Sequence, residues 1–232
     1  MRAKISVIIP TLNAADALPG CAAALFEGLE AGLIREMIVS DGGSADATAQ
    51  VAASIGAEMV TGPPSRGGQL RRGVAAARGD WLLVLHADTQ LAPGWSAAVL
   101  AHLTGDAGRG QAGYFRLGFD RGGRKARAVA GWANLRARLF GLPYGDQGLL
   151  VSRATYDAVG GYRDQVLMED VAIARALRGR LTPLSATAIT SAARYEADGW
   201  FRRGARNITI LLRYLAGADP ERLARAYFAA KG

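Results

Sequence analysis

Asp88 stands two residues beyond His86 at the close of an apolar run, WLLVLHAD, and the two side chains offer oxygen and nitrogen ligands to a divalent cation. A hard cation of the Mg²⁺ kind takes one or two carboxylates and fills its shell with phosphate oxygens, so the pair points to a phosphate-bearing ligand. Alternate residues of an extended chain face the same way, which puts His86 and Asp88 on one side. The plainer readings are an aspartate that caps a turn and a neutral histidine held in the core. Glu169-Asp170 is a second acidic pair, set where helical spacing begins. There it either caps a helix and complements its dipole or supplies a general base for an attacking hydroxyl. Thr11 with Asn13, Asp41 to Ser44 (DGGS) and Arg66 to Gln69 (RGGQ) complete the set. Thr11, Ser44 and the nearby Asp46 read singly as ordinary helix caps. Brought to one rim, all these clusters could surround a single ligand.

The elements between them would make that rim. Residues 4–10 (KISVIIP) form an Ile- and Val-rich strand, then a turn at Thr11, Leu12 and Asn13 leads into a helix over 16–30. Asp16 can cap that helix, and Pro19 falls in its first turn, where a missing N–H is harmless. Strand 36–40, helix 46–55, strand 57–61 and helix 65–78 follow. The run at 81–86 lacks the polar alternation of a half-wet strand and suits the covered centre of a parallel sheet. Three strand and helix alternations before a fourth strand imply an α/β parallel sheet with right-handed crossovers, whose ligands bind outside the carboxyl ends of the strands. No G-x-G-x-x-G follows the first strand and no G-x-x-x-x-G-K-[ST] run occurs, which disfavours a dinucleotide oxidoreductase and a phosphate-loop enzyme.

Beyond Asp88 the pattern predicts a helix over 92–103, a polar link at 105–110, a strand over 111–119 and a basic helix over 121–140. A turn and strand over 141–152, a helix from 168 to about 178, and two short strands at 181–185 and 188–191 come next. A long helix over 199–215 and a last one from Pro220 end the chain. The 199–215 helix sets Phe201, Ala205, Ile208, Leu212 and Leu215 on one side, with Arg202, Arg206 and Arg213 beside them. Packing of that apolar side on the protein's own core is the expected use, and contact with an anionic membrane surface is the alternative.

With 232 residues, half of them hydrophobic, the chain can bury one sizeable core. Its net charge of +8 is carried almost wholly by arginine, whose planar fork suits phosphate. The positive residues are scattered and lack interleaved aromatics, so nucleic acid is not an expected partner. The single cysteine, Cys21, excludes an internal disulfide framework and reads as a small core residue. The apolar run at 5–9 is too short for a signal peptide or a membrane span, which makes the cytoplasm the expected compartment.

Taken in order, SVIIPTLNAAD, IVSDGGSADAT, SRGGQLRRG, GDWLLVLHADT, YGDQGLLVSR and LMEDVAIARALR resemble the family 2 glycosyltransferases of the GT-A fold. The likeness is strongest to the subfamily labelled rSAM/selenodomain-associated and reaches the ending, DPERLARAY. It implies a single Rossmann-like domain with a mostly parallel central sheet flanked by helices, plus a C-terminal helical extension. Residues 1–104 would be the nucleotide-binding half, 105–198 the acceptor-side half and 199–232 the extension. It implies transfer of a sugar, with inversion, from a nucleotide diphosphate sugar to a hydroxyl acceptor, with Mg²⁺ or Mn²⁺ as cofactor. Carried over by position, Pro10, Thr11 and Asn13 line the nucleotide pocket, Asp41 with Gly42 meets the base, usually uracil, and Arg66 and Gln69 reach the base or diphosphate. Asp88 matches the last residue of the family's D-x-D metal motif and His86 stands where its first aspartate would be. Asp170, with Glu169 beside it, matches the catalytic base, and Asp146 and Gln147 match the acceptor-side loop.

Three other readings compete with that one. His86 in place of an aspartate suits a non-catalytic binder of nucleotide sugars. A nucleotidyltransferase shares such a core, but no lysine lies near the first turn to hold a triphosphate. A peripheral membrane adaptor would use the basic stretches 121–138 and 202–213, touching the inner face of the membrane. A homodimer is compatible with all of them.

Overall fold

The computed structural model describes residues 4–105 and 110–229; the expected link at 105–110 falls mostly outside the described residues. Strands β1 (Ile5–Thr11), β2 (Ile34–Asp41), β3 (Glu58–Thr61) and β4 (Trp81–Val84) pair in parallel in the order β3-β2-β1-β4. Between them run α1 (Leu18–Glu30), α2 (Thr48–Ser54) and α3 (Arg66–Ala76). β1 is mostly apolar because both its faces are covered, and its Ser6 and Thr11 are buried with the rest. Ile5, Val7 and Ile9 join Leu18, Cys21 and Leu25 of α1 in one cluster, while Ile8 packs with Leu70 and Val74 of α3 in another. Each such fully buried aliphatic side chain contributes about 1.5–3 kcal/mol relative to exposure. α1 starts later than the capping pattern predicts: Ala17 is its N-cap, with no side-chain cap bond, and Asp16 lies outside it. Burial pushes the Cys21 thiol up to about 12, so it stays a protonated core residue.

The second half adds β5 (Thr89–Leu91), α4 (Trp95–Thr104), β6 (Ala112–Phe119), α5 (Arg124–Phe140), β7 (Leu149–Ser152), α6 (Arg153–Ala158), α7 (Glu169–Ala176) and β8 (Leu181–Thr190). β7 joins β4 antiparallel and completes the eight-stranded order β3-β2-β1-β4-β7-β6-β8-β5. Three strands lie between β4 and β5, which makes four interstrand spacings, about 19 Å in a flat sheet. The five Cα steps from Val84 to Thr89 reach at most about 18 Å, and the chain is turned there, with Thr89 N–H donating to the His86 carbonyl. The sheet therefore curls, and residues 85–88 cross its rim. This is why β4 stops at Val84 although the apolar run continues to His86.

The two short strands expected at 181–185 and 188–191 are one strand, β8. Its pairing with β6 shifts register between Tyr114 and Arg116, opposite Pro183 and Thr187, so an irregularity replaces the expected break. The chain ends in α8 (Ala193–Asp198), α9 (Trp200–Leu215) and α10 (Pro220–Ala229). Ile210 of α9 and Leu223 and Ala224 of α10 form a small core with Leu167, in the segment just before Glu169-Asp170. The expected inward face of α9 is a correction. Phe201, Ala205, Leu212 and Leu215 are exposed, and the buried residues are Arg203, Ile210 and Leu211.

Candidate active site

Two cavities meet at the turn after β4. The larger, about 440 Å³, is a cleft at the carboxyl ends of the parallel strands, lined by Pro10, Thr11, Asn13, Arg66 and Gln69 on one side and by Glu169 on the other. That volume lies in the range of small-molecule sites. The smaller, about 120 Å³, is walled by Tyr144, Gly145, Asp146, Asp170, Tyr195 and Arg203. Arg66, His86, Asp88 and Arg194 line both.

The cleft's loops are tied by side chains. Asp41, buried at the end of β2, accepts hydrogen bonds on Oδ1 from Thr11 Oγ1 (2.8 Å) and Ser44 Oγ (2.5 Å). Its Oδ2 accepts from the Gly43 and Ser44 N–H groups (2.8 and 2.7 Å). Four donors occupy what a carboxylate can accept, and together they hold its pKa below the usual range against the opposing effect of burial. Asn13, in the left-handed region at φ 52°, accepts from Ala45 N–H on its side-chain oxygen and gives its own N–H to Ser44 Oγ. Gln69 Nε2 donates to the carbonyls of Thr11 (2.6 Å) and Ser40 (3.1 Å). Asp41 and Gly42 thus line neither cavity and sit beneath the loops that do. Arg66 is the first residue of α3, and Gly67 behind it must be glycine: a Cβ would fall 1.9 Å from the Arg163 carbonyl oxygen.

The smaller cavity is built on a 3-10 turn at Gly145–Gln147. Gly145 admits the His86 ring, whose Nε2 would lie 2.4 Å from an added Cβ. Gly145 N–H donates to Asp170 Oδ2 (2.9 Å), and Val171 N–H to Oδ1 (2.7 Å), which fixes the carboxylate at the start of α7. Gln147 is turned into the protein, away from both cavities. Its amide donates to the Phe115 carbonyl and Asn134 Oδ1 and accepts from Tyr144 N–H, so its work is to brace the turn. Burial, with Asp170 and Asp88 nearby and only partly offset by Arg136, raises Asp146 to about 6. Burial and the adjacent Asp170 raise Glu169 to about 8. Burial lowers His86, which stays a neutral imidazole.

No group of three or more His, Cys, Asp or Glu residues among the described residues is placed to hold a metal ion. What the rim offers is Asp88, with 28% of its side chain exposed, and the neutral ring of His86, which has the lone pair a metal needs. That fits a cation that arrives with phosphate oxygens and does not fit an all-protein metal cage. Several residues lining the site or braced behind it went unread in the sequence. Arg194 Nη2 lies 4.0 Å from Asp88 Oδ2. The Arg136 guanidinium sits 3.4 Å above the Tyr144 ring, and Tyr195, Arg203 and Asn207 come from the C-terminal helices. Only Arg136, a cation amid a small-residue helix face, left a sequence signal.

A family model described as glycosyl transferase family 2 matches residues 6–143. An uncharacterized glycosyltransferase of Mycobacterium tuberculosis is 35% identical over 100 residues, 43% of this chain and 43% of that protein. A PGL/p-HBAD biosynthesis glycosyltransferase of the same organism is 33% identical over 108 residues, 44% of this chain and 41% of its own length. The matched stretch is thus less than half of either relative. Among solved structures, the chain resembles glucosyl-3-phosphoglycerate synthase from M. tuberculosis in complex with Mn²⁺, UDP and phosphoglyceric acid. The TM-score is 0.60 at 22% identity, over 94% of this chain and 80% of that one. That likeness is one of fold, the mixed α/β GT-A architecture with its curled eight-stranded sheet. A family match spanning more than half of the residues, on this fold, means that the chain belongs to the family 2 glycosyltransferases.

Proposed function

We propose that the protein transfers a sugar, with inversion, from a nucleotide diphosphate sugar, UDP-linked by preference, to a hydroxyl acceptor. The observation that carries this reading is the meeting of two cavities at Arg66, His86, Asp88 and Arg194, with Asp170 lining the smaller one. The donor's nucleotide would lie in the 440 Å³ cleft along Pro10, Thr11 and Asn13, its diphosphate at the shared rim, and the acceptor beside Asp146 and Asp170. Asp41, Gly42, Gln69 and Gln147 act in this reading by holding the loops. A further part of it is membership of the rSAM/selenodomain-associated subfamily, supported by HAD at 86–88 and by DPERLARAY. So is the division of the chain into a donor half (1–104), an acceptor half (105–198) and an extension (199–232) that walls the acceptor cavity.

Asp88 and His86 would hold the Mg²⁺ or Mn²⁺, a choice supported by the Mn²⁺ and UDP present in the similar synthase. When bound, the cation would neutralise charge on the departing diphosphate. Arg66 and Arg194, on the same rim, add charge-assisted hydrogen bonds to those oxygens. A guanidinium about 4 Å from a unit of developing charge is worth about 4 kcal/mol at an effective dielectric near 20, roughly three decades of rate if realised only in the transition state. Asp170, oriented by the Gly145 and Val171 N–H groups, takes the acceptor's proton as its oxygen bonds to the anomeric carbon and the bond to the diphosphate breaks. Glu169, held protonated below about pH 8, spares Asp170 a like charge next door.

The test is turnover of a panel of nucleotide diphosphate sugars with Mn²⁺, scored as released nucleoside diphosphate, for wild type and Asp170→Asn. Release by wild type that falls about 10²-fold or more in the variant, with donor binding retained, supports the reading. Donor binding without release in wild type would favour a non-catalytic nucleotide-sugar binder.

A further inference from the structure

Seven of the eleven large hydrophobic side chains exposed among the described residues lie on two helices that pack against each other, α5 and α9. On α5, Ala128, Trp132, Leu135 and Leu139 recur at spacings of three and four and form one outward stripe. On α9, Phe201, Ala205, Leu212 and Leu215 do the same, with Ile208 half-buried between them. Leu139, Phe201 and Leu212 are each at least 60% exposed. Scattered exposed hydrophobics need no explanation, but a stripe on each of two adjoining helices does.

The charges around the stripes say what would cover them. Neither helix contains an acidic residue. Arg124, Lys125, Arg127 and Arg138 edge the α5 stripe and Arg202 and Arg213 the α9 stripe, all exposed; Arg202 Nε also donates to the Asp198 carbonyl (2.7 Å), and Arg206 turns toward the Asp198 carboxylate (3.8 Å). An apolar stripe bordered by arginines is the pattern of a helix lying in a lipid interface, its apolar face among the acyl chains and its cations at anionic headgroups. No helix among the described residues is long and apolar enough to cross a membrane, so the contact is with a surface. We infer that α5 and α9 form a docking face for an anionic membrane surface. α9 also lines the smaller cavity through Arg203 and Asn207, so the docked face and the acceptor side share one helix.

The experiment is co-sedimentation with phosphatidylcholine vesicles, with and without phosphatidylglycerol, at low and high salt. Its variants are Leu135→Ser/Leu139→Ser, Phe201→Ser/Leu212→Ser and Arg202→Glu/Arg213→Glu. All six positions are exposed, so the variants keep the wild-type melting temperature. Wild type should partition onto phosphatidylglycerol-containing vesicles and be released by salt, and each double variant should lower partitioning by roughly tenfold or more. Absence of binding, or binding that the serine variants leave unchanged, overturns the inference. So does a wild-type dimer in sedimentation velocity that the serine variants convert to monomer without any vesicle binding, since a second copy would then be the cover. No donor or turnover enters the readout, so the result stands apart from that of the transfer assay.

Discussion

On the donor side of the rim, Asp41 accepts four internal hydrogen bonds and Asn13 and Gln69 lace neighbouring loops together. On the proposed acceptor side, Tyr144 Oη, Asp146 Oδ1 and Arg203 Nε are buried with no hydrogen-bond partner among the described residues, and Glu169 Oε2, on the wall of the larger cleft, is left the same way. An unsatisfied buried polar atom costs about 1–3 kcal/mol; most of those around the site border the smaller cavity, while on the other side Arg72 Nε, beside the Nη2 that donates to the Asp41 carbonyl, is one more. The difference teaches where specificity is built. In the proposed assignment, the loops of the donor cleft are tied by the chain's own hydrogen bonds, whereas more of the polar atoms around Asp170 are left for other partners.

The comparison breaks most visibly at Asp170. Asp170→Asn should lower turnover by about 10²- to 10⁴-fold with the donor dissociation constant almost unchanged, measured by single-turnover release and calorimetry. A parallel loss of donor affinity would mean that the two sides are not separable. Asp41→Asn strikes the other side: one carboxylate oxygen becomes a donor facing the Gly43 and Ser44 N–H groups or the Thr11 and Ser44 hydroxyls. Chemical denaturation should show a loss of about 2–4 kcal/mol, with weaker donor binding. Gly67→Ala should loosen the same side through its clash with the Arg163 carbonyl, lowering the melting temperature by several degrees.

The smallest effect concerns Glu169 and depends on pH. Its pKa rises from 4.5 to about 8 on folding. Below about 4.5 both folded and unfolded chains hold the proton. Between 4.5 and 8 only the folded chain keeps it, so the unfolded chain gains by releasing it and stability falls across that window. Glu169→Gln removes this penalty. Its melting temperature should match wild type near pH 4.5 and exceed it increasingly as the pH rises to 8, in a thermal scan without nucleotide.

Much of this was legible because the first half obeys simple rules. The doubly covered β1 shows as a run of Ile and Val interrupted only by Ser6, and turn-forming or polar residues mark the strand ends near the rim. β5 was not legible, since three residues carry no periodicity and its pairing with β8 depends on the curl of the sheet. Gln147 and Asp41 share a reason: a polar side chain beside a site looks like a ligand contact, and only the three-dimensional count of donors and acceptors reveals that its partners are internal. For α9 the period was right and the face wrong. Spacing marks two faces of a helix, and here Arg203 and Asn207 turn to the cavity while the bulky apolar side faces outward. Arg194, Tyr195 and Asn207 reach the site from the last elements, a closeness that depends on the small core between Leu167 and α9 and α10.

The central claim, that a nucleotide's phosphates are gripped at Asp88 through a cation, is tested most directly by calorimetric titration of UDP into wild type and Asp88→Ala, with Mn²⁺ and with a chelator. The account predicts Mn²⁺-dependent binding by wild type that weakens at least about tenfold, or 1.4 kcal/mol, in both the variant and the chelated sample. Equal affinity in all of them would contradict it.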